Sequence, residues 1–526
     1  MKVALFSLVE SINEIREYMG ISYIKAYLNE KNIECSSQVI YKEEFREVIA
    51  DLKNVNGPIL IGVAMYCNTV GLVKEFCKDI KKECKDCYIS VGGPQVMGFE
   101  TEILKDCVYV DFVVTGEGEE TYLDLITRLN NNMSLHECDG ISFRSGSEIV
   151  INKSRKPIEN LDVLPLPYRE MNKNNKKRYF YIVGSRGCLG RCTFCAEYIT
   201  GGSNVRLRTP KNIVDEIEML QNKYGYNKFH FTDATFEDPG EAGVLRAKGI
   251  FKEIIKRKLS IRMVMYTRCQ LVQLFDDDYY ELAYNAGVEC FFVGIESGND
   301  HDMKIYSKRA DVQDNLKAIK KILKHNIYVN YGFINFNPYS TFDTLKENLM
   351  FLKTSGLIYN TYHFLSKLTI MPQAPMKTML IRDGLLDEFH YDSDITKYRF
   401  QHPEVKGFYD SMLKGLNKMH LIDYDSQIYI DYNHFRKEYN EIYQKVLKVI
   451  FDEIFLVWKE RSNYLYDFFT ECIDCYIKTN YSSDELEKLI LKQKINQYDK
   501  RLKQLYIKYL KEAYKLGINT LNLTLV

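Results

Sequence analysis

Net charge is the first thing this sequence lacks: 71 basic and 71 acidic side chains cancel over 526 residues. A balanced chain exerts no global pull on phosphate backbones or anionic membranes, so nothing in its bulk charge draws it to nucleic acid. It also lacks an apolar run fit to cross a bilayer. The longest, residues 58–73, is interrupted by Asn68 and falls short of the roughly 20 residues a span needs. The N-terminus, MKVALFSLVE, leads directly into a strand-like segment. It has none of the charged region, apolar core and cleavage site of a secretory signal. No membrane span and a cytoplasmic location are expected. In a reducing compartment the 14 cysteines read as thiols or metal ligands, not disulfides. Tryptophan occurs once, at Trp458, against 40 tyrosines. What is present is ordinary for a folded chain, 46% hydrophobic and 27% charged, and the length calls for roughly two to four domains.

The first 138 residues alternate buried-strand runs (VALFSL, PILIGVAM, CYISVGG, VDFVVTG) with helical spacing over 21–30, 72–84 and 119–129. This order predicts an α/β, Rossmann-like domain with a doubly wound parallel sheet, whose ligand crevice lies at the carboxyl ends of the strands. Two glycine-bearing turns sit there: Gly92, Gly93 and Pro94, then Gly116, Glu117 and Gly118. Turn geometry alone would also account for these glycines. Residues 139–178 read as a linker with a hairpin, ending in an extended stretch around Pro165 and Pro167. From 179 to 385 the strand runs YFYIVG, KFHFTD, IRMVMYT, CFFVGIE, YVNYGFIN and HFLSKLTI are separated by helices starting near Pro210, Glu241, Asp276, Asp311 and Thr341. Six strands and five helices with short loops predict a partial (β/α)6 barrel of TIM type, with its site at the C-terminal ends of the strands. Residues 386–526 predict a helical domain. It includes a capping box at Ser482 and Glu485 and an apolar helical spacing from Leu486 to Gly517.

The segment GSRGCLGRCTFC, residues 184–195, carries the chemistry. Cys188, Cys192 and Cys195 lie within eight residues, after a strand and beside glycines that let the backbone come close to a cluster. Four cysteines complete a [4Fe-4S] cube, so three leave one iron open to chelate a small molecule and pass it an electron. Zinc is the rival, but a structural zinc site wants a fourth ligand at finger-like spacing, and the nearest candidate, His230, is far downstream. Cys84 with Cys87 and Cys472 with Cys475 have metal spacing too, but lie in charged helical stretches and read as packing thiols.

The CxxxCxxC spacing, with aromatic Phe194 before the last cysteine, resembles the radical S-adenosylmethionine (SAM) superfamily. The resemblance continues in FTDATF after the second barrel strand, in Arg268 ending the third, and in GIESG after the fourth. It implies a [4Fe-4S] cluster on Cys188, Cys192 and Cys195. It also implies SAM contacts from Phe194, from Thr232 and Asp233 toward the amino group, and from Arg268, Glu296 and Ser297 toward the ribose and carboxylate. The chain departs from the family after the fifth strand. GFINFNPYST, residues 332–341, replaces the glycine-rich GxIxGxxG stretch.

The N-terminal half, with the VGGP and DFVVTGEGEE turns, looks like the cobalamin (B12)-binding domain fused to one large radical SAM group. Gly92, Gly93, Pro94, Gly116, Glu117 and Gly118 would then contact cobalamin. No histidine precedes His136, so bound cobalamin would have no protein imidazole on cobalt; a domain that has lost cobalamin would look the same. The resemblance implies reductive cleavage of SAM to a 5′-deoxyadenosyl radical, hydrogen abstraction, and methyl transfer to an unactivated carbon of a natural-product, peptide or lipid-type substrate. It also implies an external one-electron reductant of flavodoxin or ferredoxin type. Two other readings stay open. One is a non-methylating rearrangement, cyclisation, epimerisation or oxidation with an atypical or vacant B12 domain; the other is a cluster-bearing sensor without turnover.

Overall fold

A computed structural model describes residues 1–11, 17–84, 86–169, 179–325, 327–357, 361–387, 389–392, 396–418 and 446–516. Two expectations reach beyond these residues: the end of the linker, 170–178, and the helix end at Gly517.

The N-terminal sheet starts from β1 (Lys2–Val9), buried along most of its length. It continues through β2 (Cys35–Tyr41), β3 (Ile59–Ala64), β4 (Cys87–Gly92) and β5 (Phe112–Val114). All pair in parallel in the spatial order 2-1-3-4-5, the doubly wound order in which ligands bind where the winding reverses between β1 and β3. The sequence reading missed β2. Its CSSQVIY pattern is polar and half-exposed, as an edge strand permits. A second difference concerns the hairpin. Strands β6 (Ile141–Ser145) and β7 (Glu148–Ile151) are not linker: β6 pairs antiparallel with β5 and the hairpin completes a seven-stranded sheet.

The second unit begins at β8 (Phe180–Ile182). A two-rung antiparallel ribbon of β9 (Ser185–Arg186) and β10 (Arg206–Leu207) follows. Then come β11 (Lys228–Phe231), β12 (Arg262–Arg268), β13 (Val288–Glu296) and β14 (Tyr328–Phe333), which form with β8 a five-stranded parallel sheet in the order 14-13-12-11-8. The expected sixth strand is absent. Thr361–Leu365 is a helix, and only Lys367 bridges Phe336. The five expected helix starts match, four of them because a side chain caps them; the fifth, Gly240–Lys256, follows Pro239 without a side-chain cap. Thr209, Asp276, Asp311 and Thr341 accept N-cap hydrogen bonds at the helices Pro210–Tyr224, Asp277–Ala286, Val312–Lys324 and Phe342–Ser355.

The C-terminal region is helical, as expected: Pro403–Asn417, Lys448–Lys478, Ser483–Leu491 behind its Ser482 cap, and Ile495–Lys515. The 31-residue helix Lys448–Lys478 belongs to two cores. Its C-terminal half, with Phe468, Phe469 and Cys472, packs into the core of the five-stranded unit. Its N-terminal half, with Phe451 and Trp458, packs on Leu502 and Tyr509. No helix among the described residues is long and apolar enough to cross a membrane.

Two ionic assemblies tie the halves together. In one, buried Arg169 pairs with Glu17 at 2.7 Å and with Glu216, which also takes Arg208 at 2.6 Å. Glu17 further accepts the Tyr181 amide. The other surrounds Glu117, at the cavity described next.

Candidate functional site: a cysteine loop facing an interdomain cavity

The cysteines lie on the excursion that leaves the β9–β10 ribbon. Gly187 opens it with φ +98°, which favours glycine. Its amides are tied down on several sides: Cys188 N–H donates to Gly202 O (3.0 Å), Thr193 N–H to Tyr306 O (3.1 Å), and Met376 N–H to Thr193 O (2.7 Å). Phe194 meets Tyr306 edge-on at 5.3 Å.

The thiols of Cys188 and Cys192 flank Gly190. A Cβ on Gly190 would lie 3.2 Å from the first sulfur and 3.9 Å from the second. The Gly190 amide donates to Cys188 Sγ at 3.3 Å and the Glu197 amide to Cys195 Sγ at 3.4 Å. Burial raises the Cys188 thiol and pushes Cys195 up to about 11, while those amides pull against the rise. A bound metal reverses that balance by holding thiolates outright. The N–H donors aimed at Cys188 and Cys195 suit thiolates, the form a cluster takes, although no group of three or more His, Cys, Asp or Glu among the described residues is already drawn together to the spacing of metal ligands.

The strand ends above the loop carry the other candidates. Arg268, ending β12, pairs with Asp238, and its Nε has no hydrogen-bond partner among the described residues. Burial raises Asp238, while Arg268 and the Leu189 amide inside the cysteine loop hold it down. Glu296 sits at a bulge ending β13 with φ +67° and pairs with Lys308 at 3.3 Å. Gly294 and Gly332 make room for that pair: their Cβ atoms would come within 2.9 and 3.0 Å of the carboxylate. Burial disfavours the Lys308 charge, yet Glu296, with Cys192 nearby, holds its pKa above the ordinary value. Asp238 and Lys308 were missed in the sequence, where each is one charged residue among many.

Two expected SAM residues are turned inward. Asp233 is buried, accepts the Gly184 amide at 2.8 Å and faces Arg246 at 3.5 Å. Ser297 is buried in a polar network with Asn299, Asp302 and Asn348. Asn337, from the divergent stretch 332–341, joins that network through Asp302 and Tyr306.

A cavity of about 520 Å³ opens between the two units. Gly92, Gly93, Gly116, Glu117 and Gly118 line its N-terminal wall, with Gly62, Tyr66 and Tyr122; Pro94 does not, its carbonyl taking Gln373 instead. The facing wall holds Arg186, Gly187, Glu197, Arg206 and Thr232. No histidine among the described residues lines it. Gly93 has φ +104°, and its Cβ would crowd Met65 O at 3.0 Å.

Residues 182–352 match the family model of the Radical SAM superfamily, a match that begins on β8 and takes in all three cysteines. This chain carries a radical SAM domain. Such a domain implies a [4Fe-4S] cluster and SAM, and it needs a reductant. Among curated relatives, an uncharacterized methyltransferase of Pyrococcus horikoshii is 21% identical over 347 residues, 65% of this chain and 74% of that protein. An anaerobic magnesium-protoporphyrin IX monomethyl ester cyclase of Synechocystis is 31% identical over 281 residues, 51% of this chain and 54% of the cyclase. Against that cyclase, the chain therefore spans about half the relative's length. Among solved structures, the cobalamin-dependent SAM radical enzyme OxsB, with aqua-cobalamin and SAM bound, superposes with a TM-score of 0.72 at 17% identity. The match covers 98% of this chain and 81% of OxsB, so the fold around the radical SAM domain, N-terminal sheet and helical region included, is shared.

Proposed function

We propose that the chain is a cobalamin-dependent radical SAM methyltransferase acting on an unactivated carbon. The observation that carries this reading is the cavity between the reversed-winding end of the N-terminal sheet and the cysteine loop. Cys188, Cys192 and Cys195 would hold the cluster. Phe194, Thr232, Arg268 and Glu296 are the proposed SAM contacts, joined by Asp238 and Lys308; Asp233 and Ser297 are proposed to act through the loops they anchor. Gly92, Gly93, Gly116 and Gly118 would let cobalamin approach the backbone of the opposite wall. The cofactors supply radical formation and methyl carriage, while the protein orients them and excludes water. A flavodoxin- or ferredoxin-type protein in the cytoplasm is the proposed electron donor.

The test is anaerobic reconstitution with iron, sulfide and hydroxocobalamin, followed by methyl-labelled SAM under reduction. Cobalamin should survive gel filtration and take up the label, and 5′-deoxyadenosine should accumulate. Retention without label uptake would favour a second reading, non-methylating ring chemistry, for which the 31% identity to a cyclase speaks. Loss of all cobalamin would overturn the methyltransferase reading.

A further inference from the structure

Arg186 and Arg206 are directly opposed in the β9–β10 ribbon, the neck from which the three-cysteine loop departs. Like charges facing each other across a strand pair repel, and these two are largely buried, at 17% and 6% side-chain exposure. Their counter-charge comes from the other unit. Glu117, in the loop after β5, places one carboxylate oxygen 3.1 Å from Arg186 and 2.8 Å from Arg206. Its second oxygen accepts the Ile158 amide at 2.9 Å. Glu119 takes the other arm of Arg186 at 2.6 Å, and the Arg186 guanidinium lies over the Tyr23 ring. Burial works against the Glu117 anion, but the two arginines and the Ile158 amide hold its pKa below the ordinary carboxylate value. The carboxylate thus faces both arginines through one oxygen and accepts the Ile158 amide through the other; the oxygen toward the arginines pairs with them by charge and makes no hydrogen bond of its own among the described residues.

We infer that Glu117 is a positioning residue: it closes the neck of the cysteine loop from the opposite unit and fixes that loop against the cavity wall formed by Gly116 and Gly118. The wall's occupant rests on the cobalamin reading; the closing of the neck does not.

The experiment uses the full chain with its cluster reconstituted. It reads the rate at which a ferrous chelator strips iron, together with hydrogen exchange over residues 185–207. Glu117→Gln should speed both by about tenfold, since buried Arg206 loses its carboxylate while still facing Arg186, which keeps only Glu119. Arg206→Gln should stay near the wild-type rate because it removes the repulsion. The double variant Glu117→Gln/Arg206→Gln should recover most of the loss, which a purely packing role for Glu117 would not produce. Unchanged rates in Glu117→Gln overturn the inference, and so does a double variant no better than the single. Should Glu117→Gln fail to fold, failure of the double variant to fold counts equally against it. Cobalamin retention by the wild type is scored separately, and its absence sinks the methyltransferase reading while leaving these comparisons valid.

Discussion

Gly190 leaves room beside two thiols: a Cβ there would crowd the sulfur of Cys188 and touch that of Cys192. Replacing Cys188, Cys192 or Cys195 by Ala should abolish iron binding and SAM cleavage, measured by iron assay and 5′-deoxyadenosine release. Wild type should bind about four irons, and Cys472→Ala, whose thiol is fully buried in packing, should leave iron unchanged. A different buried acid sets a pH dependence. Glu237 is enclosed, accepts the Tyr279 hydroxyl at 2.6 Å, and burial pushes its pKa up to about 7. The folded protein therefore holds a proton that the unfolded chain releases near 4.5. Stability contributed by that proton is complete in acid and lost as pH rises through 7. Glu237→Gln, which keeps the shape, should gain stability over wild type between pH 4.5 and 7 and show a constant advantage above. Denaturation across that range should bring the difference to about 3 kcal/mol at most.

Elements whose ends carry a cap were legible in the sequence, and those that depend on a partner were not. Thr209, Asp276, Asp311 and Thr341 announce helices by local hydrogen bonding, so their starts could be placed to within a residue or two. Strand β2 hides because an edge strand tolerates Ser36 and Gln38 facing outward. The run HFLSKLTI has the apolar content of a strand, but no neighbour beyond a single bridge, and part of it coils into a helix. At the site the motif spacing gave the cysteines, whereas the ion pair of Glu296 with Lys308 joins residues twelve apart by way of a bulge that no spacing rule anticipates. Glycine at 93 is required by φ and by Met65. Gly93→Val should cost roughly 1–3 kcal/mol of local strain and abolish cobalamin retention, with iron content preserved. The helix pair Lys448–Lys478 and Ile495–Lys515 holds the only tryptophan in a small core of its own. Leu502→Ala should therefore destabilise that core by about 2–5 kcal/mol, read as a lower midpoint of the Trp458 fluorescence transition, while the cluster absorbance unfolds where it did before.

Across the whole molecule the two ionic assemblies stitch sheet to barrel on separate sites, one at Arg169 and one at Glu117. Removing the centre of the first leaves Glu17 and Glu216 buried with less counter-charge. Arg169→Met should cost about 3–5 kcal/mol in chemical denaturation, and a double variant that also carries Glu17→Gln should recover part of it. The same assembly imposes an order on biosynthesis. The N-terminal sheet is complete once the hairpin ending at Ile151 has left the ribosome, yet Glu17 has no partner until Arg169 appears, and Arg169 is not fully matched until Glu216 follows. For the time it takes to translate those residues, the nascent sheet holds an unpaired acid on the face that will later meet the barrel. That acid is neutralised only after the chain has been made through Arg169, and the pairing is complete only at Glu216.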